Sequence, residues 1–577
     1  MTKRLLVLAA ILAIALPAAL SAPASALLKP KDIFKKVTVG PKGDPGGEPS
    51  IGVAPDGSID VSYPSGLGVL FFHSKDNGKS WLATKPVTLN AGDTTVNYDP
   101  SGATYQSNLR NIDPTDCGAG CLQIDIWKSF DHGVTWPQKA TAAAAPEQPV
   151  DNAIYGSAAS NMPMLVDRQW IDTYTPPGKG TNDARVYLTY HDFVAGLMWV
   201  NASKDGGKTF SQPVSIINDP VALANSACNV VPGQLKVVQS GPHAGRVYVV
   251  WLSGDVAENA ATGCNETQLA TFGQVWSAYS DDEGATWTDQ LVYDSGVLSA
   301  GDGAGLISIG HDACAIFADM ALDSAGNPYV VFALNAADAP HTGGPGDQWD
   351  IYLESSFDGG KSWNGKSDGT GAPYKVTSGV GSHIFPAVTA GDPGRVAVAY
   401  LGSDALVPQL PYGKAQPGGN PDAKWNVFVA RSLDVTTGHP SWTTDQVTPS
   451  PIHTGDVCTL GIFCLPVISD RSLLDFIDIV GDPAGMVHIA YADTEHKGTG
   501  SASAGIVAVS NQVAGTGLLK PVVTHKPVKR PIHLPHPRKT RVLGEKLAAT
   551  GVGQAPFAGL LLIVVAAVLL RVRRRNA

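Results

Sequence analysis

Residues able to do chemistry stand in this sequence just ahead of alternating apolar segments. Glu48 precedes "PSIGV", Asp93 precedes "TTVNY", and the run Asp167-Arg168-Gln169-Trp170 precedes "IDTY". His311-Asp312 stands before "ADMAL", His383 before "IFPAV", and Asp470-Arg471 with Asp475 before "FIDIV". Acids interleaved with two arginines suit an anion or a sugar. A guanidinium offers a carboxylate two parallel N–H donors, carboxylates accept hydrogen bonds from hydroxyls, and Trp170 offers a ring face to a sugar. Arg168, Arg471, Asp475 and Glu48 are the candidates for catalysis. Asp93, Asp167, Trp170, Asp312, His383 and Asp470 are the candidates for ligand contact. A plainer role competes, in which Asp167 and Asp470 pair with the arginines beside them and only tie neighbouring units together.

What must position these residues is a repeat. "SKDNGKSW" at 74–81 returns as "SFDHGVTW" at 129–136, "SKDGGKTF" at 203–210, "SDDEGATW" at 280–287 and "SFDGGKSW" at 356–363, with a degenerate copy, "SLDVTTGHPSW", from Ser432. Successive copies lie 55, 74, 77, 76 and 76 residues apart, which marks repeated supersecondary units. Upstream of each copy, two alternating apolar runs flank an Asp/Pro/Gly turn, as in "ADMALDSAGNPYVVFA" (318–333) and "FPAVTAGDPGRVAVAY" (385–400), the pattern of a hairpin. A third run leads into the repeat, which turns the chain into a fourth strand. Four antiparallel strands per unit, arranged radially, describe an all-β propeller with only short exposed edges. Hairpins begin near Glu48, Asp93, Asp167, Gln234, Ala318, Phe385 and Asp475, so seven blades are preferred over six. The last unit has three strands and no repeat motif, and "FKKVTVG" at 34–40 is placed to supply its fourth strand and close the ring. Residues just before each hairpin then line the mouth of a central funnel.

The motif resembles the Asp-box (BNR) repeat of sialidase-like propellers, with five good copies and a weak sixth within about 32–512. The resemblance implies that the box is a structural turn between third and fourth strands, on the face away from the ligand. Its Asp accepts backbone N–H bonds, its Gly takes a conformation that a side chain hinders, and its aromatic packs between blades. Asp76, Asp131, Asp205, Asp282 and Asp358 are then fold residues. A calcium ladder is not indicated, since each box supplies one carboxylate where a calcium loop supplies several, and no other cofactor is implied. Sialidase activity in the family needs three arginines on the substrate carboxylate, a Tyr–Glu nucleophile pair and an Asp acid/base. This chain departs from that pattern. "GGEPSIG" with Glu48 stands where an Arg-Ile-Pro motif is expected, and sialidases have six blades. The mature body has only seven arginines: 110, 168, 185, 246, 395, 431 and 471. Arg185, Arg246 and Arg395 sit in turns and Arg431 abuts the sixth box, leaving Arg168 and Arg471 for the funnel with Arg110 a weak third. The expectation is a propeller that binds an extracellular glycan or glycoprotein without complete sialidase chemistry. An exo-sialidase-like glycoside hydrolase is the alternative.

The ends place that propeller outside the cell. Residues 1–26 read as a secretory signal, with Lys3 and Arg4, an apolar run at 5–20 and "ASA" at 24–26. The propeller spans 27–514, and a Pro- and Lys/Arg-rich spacer follows at 515–546. Residues 547–577 carry "LAATG", a short apolar run at 555–570 and the tail "RVRRR", an order that resembles a sortase cell-wall sorting signal with Thr550 as attachment point. The alternative is a plain C-terminal membrane anchor, an apolar helix for which the run is short. Seven cysteines suit export: Cys117/Cys121, Cys458/Cys464 and Cys228/Cys264 are candidate pairs and Cys314 is left over, with no spacing of a thiolate zinc site. Residues 27–514 hold 27 Lys/Arg against 50 Asp/Glu, which argues against nucleic acid as a partner.

Overall fold

The computed structural model describes residues 32–520 apart from 41–44, 66–67, 85–90, 112–121, 144–165, 193–196, 227–229, 255–272, 295–316, 336–348, 408–419, 458–469 and 497–504. All seven cysteines, His311, Asp312, the leader and everything beyond Lys520 lie outside the described residues.

The alternating runs form seven antiparallel sheets in chain order, each a blade of a seven-bladed propeller. Their innermost strands are Ser50–Val53, Ala91–Tyr98, Val166–Tyr174, Val230–Val237, Asp319–Leu322, His383–Ala390 and Asp478–Gly481. Blade 7 is closed as the sequence suggests: Ile33–Thr38 pairs antiparallel with Ile506–Ala514 and becomes the outermost strand. One α-helix, Pro220–Ser226, and two 3-10 turns are the only helices among the described residues. Because strands alternate in direction, the 1–2 and 3–4 turns of every blade share one face, and the starts of the innermost strands lie at the other.

Each box is the same hydrogen-bonded turn. In the second, Asp131 Oδ1 accepts from Thr135 N and Ser129 Oγ (2.8 Å each), Oδ2 accepts from Thr135 Oγ1 (2.8 Å), and Ser129 Oγ accepts from Gly133 N (2.8 Å). The pattern returns at Asp76, Asp205, Asp282 and Asp358. It survives at Asp434, where Ser441 N and Oγ reach the carboxylate across an inserted 3-10 turn. Hydrogen bonds from Ser80 hold the Asp76 carboxyl down at about 2. The glycine is required twice over. Gly133 has φ +77, and a Cβ there would lie 2.5 Å from the Phe71 ring of the preceding blade, against which Trp136 packs edge-on.

Blades lock to one another at both ends of their strands. Near the axis Asp172, Asp319 and Asp478 each accept the amide of the next blade's innermost strand, from Val237 (2.7 Å), Val388 (2.6 Å) and Ile51 (2.9 Å). Burial raises all three carboxyls, Asp319 to about 7, and the Lys236 ammonium draws each back down. On the box face, cations from one blade grip the next. Lys128 donates to Gly206 O (3.2 Å), Arg185 to Glu283 (2.7 Å), and Arg246 to Gly359 O (2.7 Å) as well as to its own Asp281. Blade 7 has no box, and residues 515–520 take that place. Arg395 donates to Gly517 O (2.7 Å) and Leu518 O (2.9 Å), Arg431 donates to Thr516 O (2.7 Å) and to Asp32, and Leu518 is buried. The first six residues assigned to the spacer are therefore docked on the propeller, because arginines left over from the inter-blade pattern need acceptors.

Candidate functional site

The starts of the innermost strands are irregular, and the irregularity aims their side chains. Register shifts fall between Ala91 and Thr94 in blade 2 and between Asp167 and Trp170 in blade 3, so Asp93 and Arg168 lie in equivalent bulges of neighbouring blades. A bulge turns a side chain out of the sheet's alternation. Arg168 (φ +44) and Glu48 (φ +46) hold left-handed backbone, a strain that a tightly packed surrounding maintains. Gln169 donates to Asp93 O (2.6 Å), stitching the two bulges together.

Five side chains from blades 7, 1, 2 and 3 meet there. Arg471 donates to both oxygens of Asp475, through Nε (3.1 Å) and Nη2, and its Nη2 also lies 3.5 Å from Glu48 Oε1. Arg168 Nη1 is 3.3 Å from Asp93 Oδ2 and 4.0 Å from Glu48 Oε2. The Arg168 contact with Asp93 is close but poorly aligned, and none of its three nitrogens makes a well-aligned hydrogen bond. Aromatic rings hold its guanidinium instead: Phe476 at 3.7 Å, Trp170 at 4.9 Å and Phe317 at 5.6 Å. Cation–π contact of this kind stabilises a desolvated guanidinium. Burial, then the neighbouring Asp475 and Asp93 charges, raise the Glu48 carboxyl well above the usual range, against the pull of Arg471 and Arg168. Burial raises Asp93 too, with Arg168 opposing. A carboxyl raised in this way holds its proton more tightly, which favours donation to a hydroxyl or to a leaving oxygen.

The remaining candidates go elsewhere. Trp170 is 5% exposed, its ring spent on Phe317 and under Arg168, so it offers no open face to a sugar. His383 is buried between blades 5 and 6, with Nδ1 3.1 Å from Asp350 Oδ1. Burial works against the Asp350 charge, but hydrogen bonds from His383, Lys375 and Thr377 outweigh it and hold that carboxyl at about 2. Asp470 accepts from Ser472 N (2.7 Å), and Asp167 faces His191 Nε2 at 3.8 Å, so neither pairs with the adjacent arginine as the plainer reading expected. Arg110 is taken by Asp125 (2.9 Å). Phe476 and Phe317, which the sequence reading passed over, carry Arg168. Their position directly ahead of innermost strands was the available signal.

No protein-family model and no curated protein matches the sequence. Solved structures do align. A protein of unknown function from Dyadobacter fermentans covers 83% of this chain and 98% of its own at 12% identity, TM-score 0.38. An α-L-arabinofuranosidase from Fusarium graminearum, in complex with an iminosugar inhibitor, covers 83% and 96% at 11% identity, TM-score 0.39. The intramolecular trans-sialidase from Ruminococcus gnavus covers 81% and 94% at 13% identity, TM-score 0.33. Likeness this distant leaves function to the residues of this chain.

Proposed function

We propose that this chain is a surface-displayed propeller that binds the hydroxyls of an extracellular glycan or glycoprotein at the Glu48–Asp93–Arg168–Arg471–Asp475 cluster, without complete sialidase chemistry. One observation supports the reading: neither funnel guanidinium is open to a ligand. Arg471 is clamped on Asp475, and Arg168, though its nitrogens make no well-aligned hydrogen bond, lies 3% exposed beneath three rings. The other five arginines of the body bind Asp125, Glu283, Asp281, carbonyls of 515–520 and Asp32. Among the described residues no arginine is both exposed and unpaired, Arg168 being buried, while the acids of the cluster can accept from sugar hydroxyls. The leader and the 547–577 tail support display outside the cell, at the wall through Thr550 or at a membrane.

A glycoside hydrolase is the second reading, favoured by Glu48, whose carboxyl burial raises well above its ordinary range, beside the Arg471-bound Asp475. Those are the parts of a general acid and a partner carboxylate. Calorimetry and turnover assays with neutral and sialylated oligosaccharides and a panel of aryl glycosides separate the readings. Binding of neutral sugars without turnover, weakened at least tenfold by Asp475→Asn, is expected. Turnover abolished by Asp475→Asn or Arg168→Ala would establish the enzyme, and binding that demands a sialic acid would refute the hydroxyl reading.

A further inference from the structure

The face opposite this cluster carries polar side chains that the blade architecture does not require. Asp60 lies near the start of the second strand of blade 1 (Ile59–Ser65), His73 near the end of its third (Gly68–Ser74), and His132 in the box of blade 2. One donor atom from each lies within 4.8 Å of the other two. Asp60 and His73 are 0% and 3% exposed. His73 Nδ1 sits 2.5 Å from Asp60 Oδ1, whose carboxyl also faces the Tyr98 hydroxyl, while His73 Nε2 is buried with no hydrogen-bond partner. Orphaned atoms of this kind are rare in folded proteins, because each bears its desolvation cost unrelieved.

His132 supplies the adjustable donor. Its ring stacks on His73 at 4.6 Å, and its side chain is one-fifth exposed. Its nitrogens make only long contacts, 3.4 Å to Ser58 Oγ and 3.5 Å to Asp56 Oδ2. We propose that Asp60, His73 and His132 bind one divalent transition-metal ion of the zinc class, with Asp56 at the rim as fourth donor. Two imidazoles with carboxylate select such ions over calcium or magnesium, which take all-oxygen sets. Tetrahedral donors about 2.05 Å from zinc stand about 3.3 Å apart. Binding therefore closes the three donors from within 4.8 Å of one another to about that separation, with the partly exposed box side chain of His132 the one freest to move. The ion clips the box of blade 2 to blade 1 on the face away from the glycan cluster, so this site is independent of the proposed activity.

The test uses the full chain, with thiols alkylated, stripped with EDTA and titrated with Zn²⁺ by calorimetry and by thermal unfolding. His132→Asn is the variant, because Asn77 fills the same box position in blade 1 with φ +60 and the turn is retained. Expected are one Zn²⁺ per chain and a raised unfolding temperature, with affinity falling in acid as imidazole takes up protons. His132→Asn weakens binding at least tenfold and abolishes the temperature rise, and Ca²⁺ and Mg²⁺ have no effect. No Zn²⁺ bound by the wild type, or equal binding by the variant, overturns the proposal. Should the variant unfold, Co²⁺ added to the wild type decides. A visible tetrahedral-cobalt band displaced by Zn²⁺ supports the site, and its absence overturns it.

Discussion

Glu354 offers the sharpest test of how this fold treats buried charge. It lies in the third strand of blade 5 (Trp349–Ser355), fully buried, and neither carboxyl oxygen has a hydrogen-bond partner. Burial alone pushes its carboxyl up to about 9, from an ordinary value of 4.5. The sign follows from the raised value. The folded state keeps a proton that the unfolded chain releases above about 4.5. Glu354 therefore favours folding in acid, and that contribution is lost as pH climbs from about 4.5 to about 9. The loss runs at about 1.36 kcal/mol per pH unit, or about 2.7 kcal/mol between about pH 5.5 and 7.5. A side-chain amide cannot titrate, so Glu354→Gln gains that amount relative to wild type over the same interval, whatever offset the substitution introduces. Urea unfolding of both proteins across this range reads the difference directly, since every other titrating group is shared and cancels. Parallel stability curves would show that the Glu354 carboxyl ionises normally when folded, and the argument from desolvation would fail.

Three further outcomes follow from the packing. Gly133→Ala meets both left-handed backbone and the Phe71 ring and should cost roughly 2–4 kcal/mol, whereas Gly57→Ala, at φ +85 in open space, should cost about 1 kcal/mol. Equal losses in thermal unfolding would show that the inter-blade contact is unimportant. Asp131→Ala deletes the acceptor of three hydrogen bonds and should cost about 2 kcal/mol by denaturant titration, and an unchanged midpoint would demote the box from fold element to decoration. Ending the chain at Ala514 strips Leu518 from the core and the acceptors from Arg395 and Arg431. A loss of roughly 3–6 kcal/mol and faster proteolysis are expected, and unaltered proteolysis would mean that residues 515–520 merely lie on the surface.

The blade pattern was legible because it is local. Alternation, the Asp/Pro/Gly hairpin turns and the boxes each lie within a few residues, and an unpaired run at 34–40 facing a three-stranded last unit implied closure. Arg246 and Arg395 stand in turns ahead of second strands and Arg185 opens its second strand, and each reaches across to the neighbouring blade or to residues 515–520. Partners from distant sequence were not legible. Nothing near Arg168 foretold that Phe476, some three hundred residues on, would cover its guanidinium and leave Trp170 buried. His383 reads like a funnel residue from its place before a hairpin, yet Asp350 of the adjoining blade claims it. Nor could the 74–81 box show that His73, one residue ahead of it, would stack on a histidine of the next.

Asp32 and residues 515–520 meet under Arg431, so the described chain begins and ends on the box face. Asp32 and Lys520 therefore leave the propeller on the face opposite Glu48, Arg471 and Asp475, and a probe attached within 515–520 would sit on that underside and leave the cluster clear.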